Sequence, residues 1–201
     1  MTQTLKPKIV LIGGGGHCSA CIDVIESEGK FSIVGIVDKD SSVKNVCGYP
    51  CLGDDRVLSS LATSVVYALI TVGQIESPAI RMQLLEQTKA LGFTHPTIVS
   101  PRAYVSRHAT LGKGTIVMHD ALINANAKIG EGCIINSKAL IEHDAIIGNH
   151  CHISTAAVIN GGAVIGGGGF VGSNATIIEK AETGENAFIK AGSLFVGVKN
   201  A

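Results

Sequence analysis

A six-residue repeat runs from Val99 to about Phe195 and limits the possible folds more than any other feature of the chain. Every sixth residue from Val99 is aliphatic, and this series continues without interruption to Ile177, with Thr183 as its first exception. A small residue, such as Ala103, follows each aliphatic residue by four positions. A period of six matches neither an isolated helix, with a period of 3.6, nor an alternating strand, with a period of 2.

The repeat predicts a parallel β-helix built from short strands that stack on one another. Three repeats form one triangular coil of 18 residues, so residues 18 apart lie above one another at roughly 4.8 Å. The aliphatic residue then fills the inside of each flat face, and the small residue allows the chain to turn the corner. Spacing alone does not decide the hand of the coil, and a left-handed coil departs from the usual right-handed rule for parallel crossovers.

Length favours a two-domain protein, and charge and hydropathy limit the classes of partner that it can bind. The chain has 201 residues, and its pattern changes near residue 95, so we expect domains at 1–96 and 97–201. Sixteen basic residues balance sixteen acidic ones, which argues against nucleic acid or an anionic membrane as the main partner. The chain lacks an apolar run of the ~18 residues that span a membrane, and its first residues lack a signal-peptide core. We expect a soluble cytoplasmic protein with no membrane insertion.

Six cysteines raise the possibility of a zinc site. Cys18 and Cys21 have the spacing of a metal-binding pair, but they fall within a predicted helix, so we expect no structural metal. Cys133 and Cys151 take the small inward position of the repeat one coil apart. A buried thiol can replace alanine there, and we interpret both as packing residues.

The amino-terminal part begins with a strand, a glycine turn and a helix. Lys8–Ile12 is the strand, and the helix covers Cys18–Glu28 and ends at Gly29. Glycines in such a turn allow backbone N–H groups to approach a phosphate at the positive end of the helix. The predicted phosphate-binding residues are Gly14, Gly15, Gly16 and His17.

Two further strands and a helix complete this part. The second strand, Ile33–Val37, ends in Asp38, where a dinucleotide fold places the acid that binds a ribose hydroxyl. The third strand, Ser64–Thr71, leads to Gly73, and a helix follows over Ser77–Leu91. About ninety residues suffice for one nucleotide, but not obviously for NAD. The alternative, a tight turn that binds nothing, stays open because glycine turns are common.

The chain resembles the sugar acetyltransferases that join a small Rossmann-like α/β domain to a left-handed β-helix. This family includes nucleotide-4-amino-sugar N-acetyltransferases and sialic acid O-acetyltransferases. The resemblance covers essentially the whole chain: the glycine turn with His17, the strand end at Asp38, the hexapeptide repeats and, most specifically, the segment from Ile135 to Asp144. It implies a left-handed coil and a homotrimer that binds acetyl-CoA between neighbouring β-helices.

Among the histidines, His143 stands out from His119, His150 and His152 because a carboxylate, Asp144, follows it directly. A carboxylate partner orients an imidazole and raises its basicity, which suits the removal of a proton from an attacking amine. Neighbouring side chains on a strand point to opposite faces, so this contact requires a corner or a bulge. The resemblance implies that His143 is the general base and Asp144 its acid partner.

The resemblance also implies a cofactor site. It places His152 and Asn136 near acetyl-CoA, and it aligns Gly161 with a glycine whose backbone N–H faces the thioester oxygen. Such a donor stabilises an oxyanion. Family members commonly continue past the last coil with a Gly-x-Pro-Ala-Lys type loop, which residues 196–201 do not contain. We expect the cofactor contacts at that end to differ.

These features favour acetyl-CoA-dependent N-acetylation of a nucleotide-linked amino sugar, with a UDP-linked 4-amino sugar ahead of O-acetylation of a sialic acid. UDP, GDP and CMP are not distinguished by the residues themselves. A non-catalytic sugar-nucleotide-binding protein is a rival class. A β-helix carbonic anhydrase is another, but it requires zinc bound by three histidines, and His143, His150 and His152 fit that spacing poorly.

Overall fold

The computed structural model describes residues 5–197 and divides into two compact units. The first comprises Met1–Gly73 and Ile80–Pro96, and the second comprises Gln74–Ala79 and Thr97–Ala201. The short segment Gln74–Ala79 therefore groups with the second unit, although it lies in the middle of the first unit's sequence. No helix within the described residues is long and apolar enough to cross a membrane.

The first unit is a five-stranded sheet with helices. The strand order is β3-β4-β2-β1-β5, and all neighbours are parallel except β3 and β4. The strands are β1 Lys8–Ile12, β2 Ser32–Val37, β3 Asn45–Val46, β4 Tyr49–Gly53 and β5 Tyr67–Ile70. The helices are α1 Gly16–Glu28, a 3₁₀ turn Asp55–Val57, α2 Leu58–Leu61 and α3 Ala79–Ala90.

The three predicted strands and two predicted helices of this part are confirmed, with shifts at their ends. Helix α1 begins two residues earlier than expected and ends at Gly29, whose φ of 69° and bond to the Ile25 carbonyl form a left-handed cap. The strand expected over Ser64–Thr71 is shorter, at Tyr67–Ile70. The β3–β4 hairpin was not expected from the sequence, because Pro50 weakens the strand pattern of β4.

The second unit is a parallel β-helix of two-residue strands that recur every six residues, with one gap at residues 182–183. The strands are β6 Ile98–Val99, β7 Tyr104–Val105, β8 Thr110–Leu111, β9 Ile116–Val117, β10 Leu122–Ile123, β11 Lys128–Ile129, β12 Ile134–Ile135, β13 Leu140–Ile141, β14 Ile146–Ile147, β15 His152–Ile153, β16 Val158–Ile159, β17 Val164–Ile165, β18 Phe170–Val171, β19 Thr176–Ile177, β20 Phe188–Ile189 and β21 Leu194–Phe195.

These strands form the three faces of a prism. Face one contains β6, β9, β12, β15, β18 and β20; face two contains β7, β10, β13, β16, β19 and β21; face three contains β8, β11, β14 and β17. Each pair within a face is parallel, and the partners lie 18 residues apart, as in Ile135 with Ile153. The predicted 18-residue coil is therefore confirmed.

The interior of the prism holds the two residue series that the repeat predicts. Ile135, Ala139 and Ile141 are at most 1% exposed, and Cys133 and Cys151 lie in the same cluster. Each of these two thiols points at a carbonyl of the next coil, at 3.2 Å and 3.1 Å respectively, which confirms them as packing residues. The exception in the aliphatic series, Thr183, is buried with its hydroxyl accepting the Gly166 N–H at 3.0 Å.

Every corner of the prism from residue 114 to residue 192 contains one residue with left-handed backbone. These residues recur at intervals of six, and most are glycine, asparagine or aspartate, which tolerate positive φ best. The series is Gly114, Asp120, Asn126, Gly132, Lys138, Asp144, His150, Ala156, Gly162, Gly168, Asn174, Lys180, Asn186 and Gly192. Left-handed corners are thus a regular feature of the backbone, and they recur every six residues along this part of the β-helix.

Candidate active site

His143 and Asp144 are hydrogen-bonded to each other at the corner between faces two and three. The His143 Nδ1 atom lies 2.8 Å from Asp144 Oδ2. Asp144 has φ of 61° and donates its backbone N–H to the Ala125 carbonyl of the preceding coil at 3.0 Å. This left-handed residue ends the alternation of side chains along the strand, so two sequence neighbours can face each other. The sequence analysis required a corner or a bulge for contact between His143 and Asp144, and the structure has a corner at this position.

Hydrogen bonds shift the pKa of both side chains of the pair. The hydrogen bond to Asp144 raises the pKa of His143, and the nearby carboxylates Glu142 and Glu179 add to the effect. The pKa of Asp144 is lowered by its bond to His143 and by Asn126, whose amide donates to the other carboxylate oxygen at 3.2 Å. Both side chains of the pair are more than half exposed, so water weakens these interactions.

The imidazole of His143 has one ring nitrogen hydrogen-bonded to Asp144 and the other, Nε2, next to Gly161. A carboxylate accepts from Nδ1–H, which leaves Nε2 with its lone pair. No described residue forms a hydrogen bond with this Nε2 atom. The arrangement suits a group that removes a proton from a bound molecule.

Gly161 lies directly against the His143 ring in the next coil. A Cβ atom at this position would approach His143 Cε1 and Nε2 at 2.8 Å, which is closer than real Cβ atoms come. The neighbouring Gly162 donates its N–H to the His143 carbonyl at 2.9 Å. The structure therefore brings together three of the predicted site residues, His143, Asp144 and Gly161, and it shows why residue 161 lacks a side chain.

His152 and Asn136 form a second cluster on face one. His152 begins β15 and is 8% exposed, and its Nε2 atom lies 3.2 Å from the Asn136 amide nitrogen. Its Nδ1 atom lies 2.6 Å from the carbonyl oxygen of Gln74. The ring also packs edge-on against Phe170, which stacks on Phe188. His152 follows His143 by nine residues, half a coil, so one chain places the two histidines on different sides of the prism.

In the first unit, the Asp38 carboxylate accepts hydrogen bonds from the glycine turn and from its own strand end. Gly14 donates its N–H to Asp38 Oδ2 at 2.5 Å, and Asp40 donates its N–H to Asp38 Oδ1 at 2.7 Å. Gly13 has φ of 106°, and a Cβ there would meet Val72 Cγ2 at 2.4 Å, so only glycine fits. Asp38 thus stabilises the turn itself, which the sequence did not indicate.

A pocket of about 510 Å³ opens beside this turn. It is lined by five of the predicted residues, namely Gly15, Gly16, His17, Asp38 and Gly73. Gly14, the sixth, is outside the lining, and its N–H points at Asp38. Helix α1 begins at Gly16 with Gly15 as its N-cap and without a side-chain cap, so its first N–H groups face the pocket end of the helix.

Several residues near these clusters were not predicted. Lys39 and Gln83 also line the pocket; Lys39 directly follows the acid at the strand end, which was a usable signal for phosphate binding. Asn126 precedes Asp144 by one coil, so the 18-residue period locates it once the base is known. Gln74 lies between a predicted strand and a predicted helix, and no pattern in the sequence marks it.

The fold and the two clusters define a class, the hexapeptide-repeat acyltransferases. Two family models match the chain: the PglD N-terminal domain over residues 8–88, and the bacterial transferase hexapeptide (six repeats) over residues 107–143. The chain belongs to the family of sugar N-acetyltransferases that combine these two parts. No curated protein sequence matches it significantly.

Solved structures support this assignment. PerB from Caulobacter crescentus, in complex with CoA and GDP-perosamine, is 31% identical with a TM-score of 0.89, over 94% of this chain and 89% of that one. The acetyltransferase domain of PglB from Neisseria gonorrhoeae, in complex with acetyl coenzyme A, is 30% identical with a TM-score of 0.87, over 96% and 92%. WeeI from Acinetobacter baumannii, at 18% identity and a TM-score of 0.55, shares the fold.

These comparisons confirm the expected family, the Rossmann-like domain followed by a left-handed β-helix, and acyltransferase activity with acetyl-CoA as the co-substrate. Two further structures of the Caulobacter enzyme, with CoA and GDP-perosamine, carry a single histidine replaced by asparagine or by alanine. The prediction that cofactor contacts differ at residues 196–201 is not tested, because residues 198–201 lie outside the described residues.

Proposed function

We propose that this protein transfers the acetyl group of acetyl-CoA to the amino group of a nucleotide-linked amino sugar, with His143 as the general base. The observation that carries the proposal is the His143–Asp144 pair at a corner of the β-helix, with Nε2 directed away from the pair. The PerB structures, which hold CoA and GDP-perosamine, support this class of acceptor.

The proposed chemistry follows from the residues around His143. The sugar amine attacks the thioester carbonyl carbon while Nε2 of His143 takes the proton that the nitrogen must lose. Asp144 orients the ring and stabilises the imidazolium that forms. Collapse of the tetrahedral intermediate then breaks the carbon–sulfur bond, and the imidazolium returns the proton to the leaving CoA thiolate.

Gly161 is placed to stabilise the oxyanion of that intermediate. It lies against the His143 ring, and no described residue accepts a hydrogen bond from its N–H. A backbone donor fixed before the reaction costs no reorganisation when negative charge develops. We therefore assign the Gly161 N–H as the donor to the thioester oxygen.

The nucleotide of the acceptor is proposed to bind in the pocket of the first unit. The N–H groups at the start of α1, next to Gly15, Gly16 and His17, suit a diphosphate. Asp38 already accepts two N–H groups, but a carboxylate has about four lone-pair sites and can also accept a ribose hydroxyl. Gly73 lines the same pocket next to His17.

The proposed assembly is a homotrimer that holds acetyl-CoA between neighbouring β-helices, with His152 and Asn136 beside the cofactor. Two observations support it. His143 and His152 lie half a coil apart, on different sides of the prism. In a trimer, His143 of one copy and His152 of its neighbour can therefore face the same cleft. The outward side of face two also carries exposed apolar residues, including Tyr104, Leu122 and Leu194.

The test is an acceptor screen with purified protein and acetyl-CoA, in which release of free CoA thiol is measured. The panel contains UDP-, GDP- and CMP-linked amino sugars and free sialic acid. We expect turnover only with nucleotide-linked amines. His143→Ala should lower kcat by roughly 10²- to 10⁴-fold and leave the acetyl-CoA Kd nearly unchanged. His108→Ala, at an exposed histidine two coils before Asp144, is the matched control. Turnover only with sialic acid, or a His143→Ala rate within a few-fold of the parent, would overturn the proposal.

A further inference from the structure

Gln74 is a buried polar residue that the proposed chemistry does not use, although it contacts the predicted cofactor cluster. It is 3% exposed and belongs to the short segment Gln74–Ala79 of the second unit. Its side-chain amide donates to the His150 carbonyl at 2.9 Å and also lies 3.3 Å from the Gly168 carbonyl. These bonds fix the segment to two consecutive coils of the β-helix.

The main-chain carbonyl of Gln74 determines which nitrogen of His152 carries a proton. A carbonyl oxygen only accepts hydrogen bonds, and it lies 2.6 Å from His152 Nδ1. The Nδ1 atom must therefore be protonated. The other ring nitrogen, Nε2, faces the Asn136 amide nitrogen at 3.2 Å.

The orientation of the Asn136 amide then determines the charge of His152. The Asn136 oxygen accepts the Ser137 N–H at 2.8 Å, so the NH₂ group is the end that faces His152. An NH₂ group only donates, so Nε2 accepts and carries no proton. His152 is thus a neutral imidazole in the Nδ1–H tautomer, and both of its ring nitrogens are engaged.

We propose that Gln74 is a positioning residue of the cofactor site, which acts by holding His152 in this single tautomer. His152 in turn holds Asn136, whose second amide N–H is left to donate to a carbonyl oxygen of the acetyl-CoA arm. His152 is accordingly not an alternative general base. The role of the cluster in cofactor binding rests on the proposed function, whereas the tautomer of His152 does not.

The first experiment measures the tautomer directly in the ligand-free protein. Long-range ¹H–¹⁵N spectra at pH 7.5 distinguish the Nδ1–H form, the Nε2–H form and the imidazolium of each histidine, and His152→Gln identifies the signal. We expect His152 as the pure Nδ1–H form. An Nε2–H form or an imidazolium would overturn the proposal, and this result stands whatever reaction the protein catalyses.

The second experiment removes the anchor while keeping its size. Gln74→Met cannot donate to the His150 and Gly168 carbonyls, so the segment that carries the Gln74 carbonyl is released. We expect the His152 signals to become a mixture of tautomers and the Kd for acetyl-CoA to rise about tenfold, while nucleotide binding is unchanged. Gln87→Met, at a half-buried glutamine of α3 outside both clusters, is the matched control and should change neither quantity.

The outcomes separate the two claims. A Gln74→Met protein that retains the pure tautomer and the parent acetyl-CoA Kd would overturn the role of Gln74. A wild-type protein that shows the Nδ1–H form but binds no acetyl-CoA would overturn the proposed function and the positioning role that depends on it, and would leave the tautomer assignment intact. If Gln74→Met does not fold, the wild-type tautomer still decides whether the Gln74 carbonyl acts on His152 as proposed.

Discussion

At the scale of single residues, the protonation of His143 links the geometry of the corner to a measurable rate. A general base works only when it is deprotonated, so kcat/KM should rise with pH through the pKa of His143. The bond to Asp144 raises that pKa, which places the rise at higher pH than for an ordinary histidine.

Asp144→Ala should therefore shift the acidic limb of the pH profile to lower pH. The reason is that loss of the Asp144 bond removes the main cause of the raised pKa of His143. The maximal rate should fall as well, but by less than for His143→Ala, because the base itself remains. The measurement is kcat/KM against pH for the parent and the variant. A limb that stays in place, or moves to higher pH, would contradict the assignment of Asp144.

The sequence predicts His143 as the candidate base, but it does not predict how the structure holds this side chain. The neighbouring carboxylate marked His143, and the resemblance supported it. The left-handed conformation of Asp144 and the close approach of Gly161 depend on contacts with coils 18 residues away. The tautomer of His152 depends on Gln74, 78 residues earlier in the chain, and no local pattern encodes such a contact.

At the scale of secondary-structure elements, the turn between β1 and α1 can be tested without disturbing the fold. Gly15 has ordinary φ, and a Cβ there meets no atom within 4 Å, so a side chain would extend into open space beside the pocket. Asp38→Ala is a less direct probe, because it removes both turn hydrogen bonds.

Gly15→Val should weaken acceptor binding by roughly tenfold or more, about 1.4 kcal/mol, and leave the Kd of acetyl-CoA unchanged. The physical reason is that the new methyl groups occupy the space that a diphosphate needs near the backbone N–H groups. Gly184→Val, at another open glycine in the β-helix, is the control. Titration of each ligand alone measures the two Kd values. Equal losses of affinity for both ligands would contradict acceptor binding in this pocket.

The corners of the β-helix offer a second test at this scale. Ala156 is left-handed with φ of 55°, whereas the next residue, Ala157, is a fully buried corner residue without positive φ. A non-glycine residue in the left-handed region costs roughly 1–2 kcal/mol. Ala156→Gly removes that conformational cost. Ala157→Gly instead removes a packed methyl group and increases the conformational entropy of the unfolded chain.

We expect the same substitution at these adjacent residues to have opposite effects. Ala156→Gly should raise the free energy of unfolding by about 0.5–1 kcal/mol, after the entropy cost of glycine. Ala157→Gly should lower it by about 1 kcal/mol or more. Thermal and denaturant unfolding of the two variants provide the comparison. Destabilisation by Ala156→Gly would mean that the left-handed corners are not strained.

At the scale of the whole molecule, the proposed trimer should depend on the apolar outward side of face two. Introducing a charge at half-exposed Leu122 would bury that charge against a neighbouring copy, which is costly. Leu122→Glu should therefore shift the light-scattering mass from about three times 20.7 kDa towards the monomer, with loss of activity. Ser59→Glu, at an exposed residue of α2, should not. A parent protein that is fully active as a monomer would contradict the proposal that acetyl-CoA binds between neighbouring copies.

The general architecture was largely predictable, because the same pattern of aliphatic and small residues recurs in every coil. An aliphatic residue at every sixth position defines the interior, and the 18-residue pairing of Ile135 with Ile153 follows from it. The left-handed corners also correspond to a recurrence of glycine, asparagine and aspartate in the sequence. The β3–β4 hairpin is a short-range pairing whose first strand has only two residues, too few for a periodic signal. The grouping of Gln74–Ala79 with the β-helix depends on long-range contacts, such as that of Gln74 with the His150 carbonyl.

The stacking of coils also restricts how such an enzyme can be altered. Because residue i lies over residue i+18, a position along the prism can change only in steps of roughly 4.8 Å. Moving the His143–Asp144 pair to residues 125–126 or 161–162 would keep it at the same corner and orientation. The base would nevertheless move by a full step relative to both substrates, beyond the 2.6–3.2 Å reach of proton transfer. If His143 is the base and the pocket binds the acceptor, as proposed, changes of acceptor have to come from the pocket and from the side chains around His143, because the scaffold offers no intermediate position.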